Sequence, residues 1–401
     1  MGEKLYYNFD LIDPAEGRLI PGSAMTVAEG KITWVGPAAS LPPERKAAGR
    51  DLTGRTVMPG MFNCHVHALS TPIANPASLN WEEPAKFALR GLAHLQQHLK
   101  SGVTFVRDMN GRKQAEVGLR DAINEGIVVG PHYYISRQCL CMTGGHGSNT
   151  GMECDGPDSC RRAAREQIKH GADVIKIMAS GGMMSPGMEA ADSQLTEEEM
   201  RAAIEEAHKA GKKTATHAHG APAIKNAIRA GIDSVEHGSF LDEECVEMML
   251  ERGVWLVPTI AVDHWFFQHE GDENIPAYAM EKCKRAHETH VRSFQMALKA
   301  GVKMAAGTDA GTSYNPHWGS YMELVKMVEY GASPMAAIRA ATSDAAKMMG
   351  VDGWTGLIAP GKAADFLVLD QNPLENIQSL SQVGEVYLGG RRVLLQGLEE
   401  E

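Results

Sequence analysis

The stretch MPGMFNCHVH, residues 58–67, reads as a short buried strand that ends in two histidines. Residues two positions apart in a strand point to the same face, so His65 and His67 would project together from the strand end. Imidazole is a common zinc ligand, and two imidazoles at this spacing can converge on one ion. Solvated or hydrogen-bonded histidines are also common, so the interpretation depends on how the other strands end.

The middle of the chain alternates strand-like and amphipathic helix-like segments. Strand–helix repeats with short connections imply parallel strands, and eight units fit a TIM barrel better than an open doubly wound sheet. No GxGxxG motif follows the first strand, so the dinucleotide-binding form of the open sheet loses its main support. Thr196 and Glu199 predict a capping box at the start of one helix. The predicted strands span residues 61–67, 103–109, 132–137, 173–179, 213–219, 234–238, 254–260 and 302–309.

Both ends of the chain differ from this middle, because they mix β-branched and aromatic residues with Gly, Pro and Asp turns. The predicted fold class is therefore α/β, with a (β/α)8 TIM barrel and a small β-sandwich formed from both chain termini. The predicted boundaries are 1–58 plus 358–401 for the sandwich and 59–357 for the barrel.

Composition limits the partners. The net charge is −11, with 50 acidic and 39 basic residues, which disfavours nucleic acid. We find no stretch of about 18 apolar residues and no pattern of a signal peptide, so we expect no membrane association. The seven cysteines are irregularly spaced, which indicates reduced thiols and a cytoplasmic protein.

Ionisable residues recur at the ends of the later strands. Lys176 lies between two isoleucines, His217 and His219 end the fifth strand, His237 ends the sixth, and Asp309 ends the eighth. A buried lysine is costly unless it is paired or chemically altered, although a lysine near a strand end can also extend to solvent. The carboxyl ends of barrel strands form one face, where barrel chemistry occurs. Together with the first strand, which ends in His65 and His67, five strands end in this way. Five such strand ends are hard to explain by chance.

This pattern resembles the amidohydrolase superfamily, in its binuclear subtype with a carbamylated lysine. The segments MPGMFNCHVH and GLIAPGKAADFLVLD, residues 58–67 and 356–370, resemble the entry to the barrel and the return to the sandwich in that superfamily. Overall, the chain is similar to the branch of Xaa-Pro dipeptidases (prolidases), carboxypeptidases and ochratoxinase, and to imidazolonepropionases. The resemblance implies two divalent metal ions, for which zinc suits the ligands best. The implied metal ligands are His65, His67, carbamylated Lys176, His217, His237 and Asp309.

The same resemblance implies hydrolysis of an amide bond. A metal-bridging hydroxide would attack the carbonyl, with Asp309 as general base and then general acid. We assign His217 to the metal and His219 to the substrate oxygen, although both histidines would face the same way. Exchanging these two roles leaves the class of reaction unchanged.

The substrate implied by this branch is a dipeptide or N-acyl amino acid with a free carboxylate, including ochratoxin-type amides. His146, in the Gly-rich segment TGGHG, is one predicted carboxylate contact and Arg137 is another. The alternative for TGGHG is a flexible loop with no ligand. The long Gly- and Met-rich loop 179–194 could act as a lid or be an irregular surface loop.

Two other functions stay open. Substrate loops could instead favour a cyclic amide, as in imidazolonepropionases, or a lactone or carbamate. A non-catalytic barrel scaffold is the third possibility, but such scaffolds usually lack ligands and here all six positions are filled. We expect a small-molecule substrate and, from the habit of relatives, a homo-oligomer.

Overall fold

The computed structural model describes residues 2–79, 82–112 and 114–394. The last seven residues of the predicted sandwich boundary, 395–401, lie outside the described residues. The strands are β1 (Lys4–Asp13), β2 (Arg18–Ala28), β3 (Lys31–Pro37), β4 (Arg50–Asp51), β5 (Thr56–Pro59), β6 (Met61–Val66), β7 (Val103–Asp108), β8 (His132–Ile135), β9 (Leu140–Cys141), β10 (Met152–Glu153), β11 (Val174–Met178), β12 (Lys213–Gly220), β13 (Ser234–Phe240), β14 (Trp255–Val257), β15 (Phe366–Leu369), β16 (Glu385–Leu388) and β17 (Arg391–Arg392). The α-helices are α1 (Pro43–Ala47), α2 (Pro84–Lys100), α3 (Ala115–Asn124), α4 (Pro157–Lys169), α5 (Glu197–Lys209), α6 (Ala221–Ala230), α7 (Glu243–Arg252), α8 (Ala261–Phe267), α9 (Ala277–Ala300), α10 (Tyr321–Glu329), α11 (Pro334–Ala340) and α12 (Ser343–Met349).

Strands from both ends of the chain form one sheet. Its order is β17-β16-β15-β5-β1-β2-β3, with β4 paired to β1. Antiparallel pairing of β15 with β5 joins the C-terminal strands to the N-terminal ones, with Phe366 opposite Pro59. Tyr6, Phe366 and Tyr387 pack their rings against one another in the buried cluster beneath this sheet. The ends of the chain are therefore one packed unit.

The middle of the chain forms parallel sheets. One has the order β6-β7-β8, and the other has the order β10-β9-β11-β12-β13-β14. The segment 304–310 lies between them, because Met304 bridges Leu256 of β14 and Ala310 bridges Val66 of β6, both in the parallel sense. Seven of the eight predicted middle strands are present. The segment 302–309 is not a regular strand, but its backbone also hydrogen-bonds to Leu256 of β14 and to Cys64 and His65 of β6.

Local sequence explains how the helices cover these strands. Ile175 and Ile177 of β11 belong to one buried cluster with Ala163 of α4 and Ile204 of α5, while Lys176 between them points the other way. The predicted capping box of α5 is confirmed: Thr196 accepts from the Glu199 backbone, and the Glu199 side chain accepts from the Thr196 backbone. Alternation along β11 therefore places its isoleucines under the helices and Lys176 on the opposite face.

None of the described helices is both long enough and apolar enough to cross a membrane. All seven cysteines are buried, and none forms a disulfide.

Candidate active site

A cavity of about 610 Å³ opens where the middle strands end. This volume is in the usual range for small-molecule sites. Its wall contains all but one of the residues that the sequence predicted for the site. The predicted residues that line it are His65, His67, His146, Lys176, His217, His219, His237 and Asp309.

One group of metal-ligating side chains is formed by His65 and His67 of the first middle strand and Asp309 of the eighth segment. Their donor atoms lie within 4.8 Å of one another. Nε2 of His67 is 2.9 Å from Oδ1 of Asp309, and Nε2 of His65 is 3.4 Å from the same oxygen. Burial raises the pKa of Asp309, but the two histidines outweigh it, so the pKa lies below its ordinary value. An ionised carboxylate and two imidazoles suit a divalent cation.

A second group is formed by His217, His219 and His237, whose donor atoms also lie within 4.8 Å of one another. Burial holds the pKa of His217 and of His237 well below the ordinary value. Nε2 of His217 donates to the carbonyl oxygen of Gly181 at 2.9 Å. A carbonyl can only accept, so the unprotonated nitrogen of neutral His217 is Nδ1. His217 is thus fixed in one tautomer with a free lone pair.

Lys176 lies at the bottom of the same cavity. Its side chain is 1% exposed, and its Nζ has no hydrogen-bond partner among the described residues. Burial lowers the pKa of Lys176 to about 8, although Glu236 and Asp309 act in the opposite direction. A buried amine without a partner is costly in a folded protein. The orphaned amine, together with the two donor groups, fits a site in which this lysine is modified and holds cations.

Buried charged residues hold the ring of His65 in place. Nδ1 of His65 donates to Oε2 of Glu236 at 2.7 Å, which leaves Nε2 of His65 as the lone-pair nitrogen. Arg107 contacts both oxygens of Glu236, at 2.8 and 3.0 Å, and Ser234 donates to Oε1 at 2.7 Å. Burial raises the pKa of Glu236, but Arg107 and His65 outweigh it and lower the pKa to about 2. Glu236 therefore stays ionised and orients His65.

The backbone is strained at the same place. His237, Thr259 and Asp309 have φ values of 72°, 53° and 59°, in the left-handed region that non-glycine residues rarely adopt. Nδ1 of His237 and Oγ1 of Thr259 are 2.8 Å apart, so two of the strained residues hold each other. Each such residue costs on the order of 1–3 kcal/mol, and such residues cluster at functional sites.

The loop after β11 is built into the site. Ser180 Oγ accepts from the His219 backbone at 3.0 Å, and Ser185 Oγ lies 2.8 Å from Nδ1 of His146. The loop can approach His146 this closely because it carries glycine: a Cβ on Gly182 would lie 2.3 Å from two atoms of the His146 ring. The His146 ring in turn lies 4.2 Å from the ring of His217. The loop thus contacts two histidines of the site, His146 and His219, and holds them in place.

Comparison with known proteins decides the family. The amidohydrolase family model matches residues 56–393, most of the chain. This chain belongs to the amidohydrolase family.

Relatives of this amidohydrolase cover most of its length. It is 33% identical to ochratoxinase of Aspergillus niger over 95% of this chain and 85% of that protein. It is 25% identical to imidazolonepropionase of Cupriavidus taiwanensis over 88% of this chain and 85% of that one. A crystal structure of a Xaa-Pro dipeptidase with methionine bound in its active site superposes with a TM-score of 0.91 at 31% identity, over 98% of this chain and 100% of the other. The resemblance stated from sequence is confirmed, and the fold neighbours are amidohydrolases of TIM-barrel type with mixed α/β content.

One predicted site residue of this amidohydrolase lies elsewhere. Arg137 does not line the cavity; its backbone has a φ of 57°, and Nη1 donates to Gln167 of α4 at 3.3 Å. The left-handed turn after β8 directs the side chain toward the helix layer. Arg112, which follows β7, lines the cavity instead.

The sequence reasoning also missed Glu236 and Arg107. Both are charged residues inside buried strands, in SVEHG and VTFVRDM. Opposite charges in two buried strands signal a pair, because an unpaired buried charge is strongly unfavourable.

Proposed function

We propose that the chain is a metal-dependent hydrolase that cleaves the amide bond of a dipeptide or N-acyl amino acid. The observation that carries this proposal is the meeting of two metal-ligating groups around the unpartnered amine of Lys176 in one cavity. We also propose that residues 59–357 form a (β/α)8 barrel and that 1–58 plus 358–401 form the β-sandwich.

The residues that would hold two divalent cations are His65, His67 and Asp309 on one side and His217 with His237 on the other. In this proposal Lys176 is carbamylated and shared between the two groups. A carbamate is an anion with two oxygens, which removes the penalty of burying an ammonium. Bound cations would supply hydroxide near neutral pH and polarise the substrate carbonyl, and zinc suits this donor set best.

Asp309 is the proposed proton carrier. Its side chain is 15% exposed toward the cavity, and its depressed pKa keeps it ionised at neutral pH. It would accept a proton from the attacking water and pass it to the leaving nitrogen.

His219 is proposed to bind the substrate oxygen. Its Nδ1 lies 2.8 Å from Ser239 Oγ, so Nε2 is the ring nitrogen that is free to donate a hydrogen bond. Burial lowers the pKa of His219 to about 3, which keeps the ring neutral. The tautomer of His217, with Nδ1 unprotonated, supports giving the metal-ligand role to His217.

An amide with a free carboxylate is favoured by the named relatives, since an ochratoxinase and a Xaa-Pro dipeptidase are among them. His146 is the proposed carboxylate contact. Its ring lies beside the ring of His217, and its Nδ1 is held by Ser185, so Nε2 is left for a ligand. The same cavity is lined by Met183, Met184 and Met188. Their flexible side chains would adapt to varied apolar side chains of the substrate.

The test is hydrolysis by zinc-loaded protein of two panels: dipeptides and N-acyl amino acids on one side, cyclic imides, lactones and carbamates on the other. We expect turnover of the first panel, with Asp309→Asn reducing it at least 100-fold, about the size of a general acid–base contribution. Asp272→Asn, on a neighbouring loop outside the cavity wall, is the control and should leave turnover unchanged. Turnover of the second panel alone would replace the proposal with the cyclic-amide or ester alternative, and no turnover of either would favour a scaffold.

A further inference from the structure

Asp263 is a carboxylate in the cavity wall that the proposed reaction does not use. It lies on α8, directly after β14, and its side chain is 13% exposed. Val262 and Phe266 of the same helix also line the cavity, so this helix contributes two apolar side chains besides Asp263. Among the described residues that line the cavity, Asp309 and Asp263 are the two carboxylates, and Asp309 belongs to a metal-ligating group.

The two oxygens of Asp263 have different surroundings. Nδ1 of His287 donates to Oδ2 at 2.9 Å, and Nδ1 of His290 lies 3.9 Å from the same atom. No hydrogen bond reaches Oδ1 from the described part of the chain. The pKa of Asp263 lies below its ordinary value, because the hydrogen bonds and charges of the two histidines outweigh its burial. An ionised oxygen that lines a cavity takes its hydrogen-bond donors from water or from a ligand.

Asp263 is tied to the metal-ligating groups through His290. Nε2 of His290 donates to the carbonyl oxygens of Pro258 and His237, at 2.9 and 3.2 Å. Asp263 and His219 line the same cavity. A substrate whose carbonyl lies at His219 can therefore reach Asp263 with another group.

We propose that Oδ1 of Asp263 binds an ammonium group of the substrate and so determines specificity. This inference rests on the proposed amide hydrolysis and names a cationic substrate within that class. The cation can be the free α-amine of a dipeptide or the side-chain amine of a basic residue. Both sources offer N–H donors to an acceptor-only oxygen, and a charge-assisted hydrogen bond is roughly twice as strong as a neutral one.

The experiment compares substrates that differ in one ammonium group. Alanyl-leucine and propionyl-leucine differ only in the α-amine, while propionyl-lysine and propionyl-norleucine differ only in the side-chain amine. Zinc-loaded wild type should prefer the cationic member of one pair by roughly 10- to 100-fold in kcat/KM. Asp263→Asn should reduce this preference to below about threefold, and Asp263→Glu should retain part of it. The pair that shows the effect identifies the source of the cation.

Glu270→Gln is the matched control. Glu270 lies on the connection that follows α8, pairs with Lys284 and does not line the cavity, so this variant should keep the wild-type preference. No preference in wild type, an unchanged preference in Asp263→Asn, or an equal loss for both members of each pair would overturn the inference. An equal loss would make Asp263 only a partner that positions the two histidines.

Failure of the proposed function gives a different result. If wild type hydrolyses none of the four compounds, hydrolysis of dipeptides and N-acyl amino acids is refuted. Calorimetric binding of the same pairs to wild type and to Asp263→Asn then decides whether Asp263 binds an ammonium group. Tighter binding of a cationic member that is lost in Asp263→Asn would support the site; equal binding, or none, would overturn it.

Discussion

Replacing Glu236 by glutamine tests whether its carboxylate orients His65 of the first metal-ligating group. Glu236 is fully buried and accepts hydrogen bonds from His65, Arg107 and Ser234. Glutamine has the same shape, but it is neutral and turns an NH2 group toward donors. The substitution therefore leaves the guanidinium of Arg107, which is 2% exposed, without its counter-charge. It also replaces the carboxylate behind His65 with a neutral amide that has one acceptor oxygen for the three donors.

Two magnitudes follow from this geometry. Breaking a buried ion pair from one side costs about 3–5 kcal/mol of folding free energy. At about 2 cal/mol/K of unfolding entropy per residue, 4 kcal/mol lowers the Tm of a 401-residue chain by about 5 °C. Loss of a partner behind a ligating histidine weakens metal affinity by about 10- to 100-fold.

The assay separates these two effects with a second variant. Tm is measured on metal-free protein, and zinc affinity is measured by competition with a chelator. In the double variant with Arg107→Met and Glu236→Gln, the stranded charge is gone, so we expect Tm to recover by at least half of the loss. The zinc affinity of the double variant should stay low, because the neutral amide does not raise the basicity of His65 as the carboxylate does.

Either half of this reasoning can be refuted separately. Unchanged zinc affinity in Glu236→Gln would show that Glu236 does not orient His65. A double variant that is no more stable than the single one would show that the uncompensated charge of Arg107 is not the source of the destabilisation.

Three further predictions concern the site and its surroundings. Lys176→Ala should lose most of its zinc, measured by elemental analysis, and at least 100-fold in turnover; full zinc content and full turnover would exclude a shared lysine ligand. His217→Asn should lower the zinc content, whereas His219→Asn should keep the zinc and lower kcat, and the opposite result would exchange the two roles. Burial lowers the pKa of His98 from 6.5 to about 3. The unfolded chain therefore binds a proton below pH 6.5 that the folded chain does not. The free energy of unfolding is independent of His98 above about pH 7, and below pH 6.5 it falls by up to about 1.4 kcal/mol per pH unit. Denaturation of metal-free His98→Gln at pH 7 and pH 5 should show a smaller loss than wild type, and an equal loss would contradict the assignment.

Much of the site could be predicted because its residues obey the simplest strand rule. His65 and His67 share a face two positions apart, and Lys176 is a lone charge between two isoleucines that point to the helices. Each of these signals lies within a few residues of sequence. The parallel order of the strands then brings the signals together without any knowledge of loops.

The remaining features depend on geometry that no short window contains. Arg137 follows its strand as a site residue would, but a left-handed turn directs it to Gln167. Glu236 and Arg107 come from strands more than a hundred residues apart, and each alone reads as an isolated charge. The segment 302–309 has the composition of a strand and hydrogen-bonds to both neighbouring strands, yet it does not form a regular strand, and Asp309 at its end has a left-handed backbone.

His237, Thr259 and Asp309 have left-handed backbone conformations, and these conformations affect which substitutions would stabilise the protein. Glycine would occupy each of these positions without strain, so selection for robustness alone would replace an imidazole and a carboxylate with hydrogen atoms. Their retention would reflect a trade of thermal resilience for reactivity. Stabilising substitutions should therefore leave these three positions unchanged and be sought in the terminal sheet, whose strands do not line the cavity.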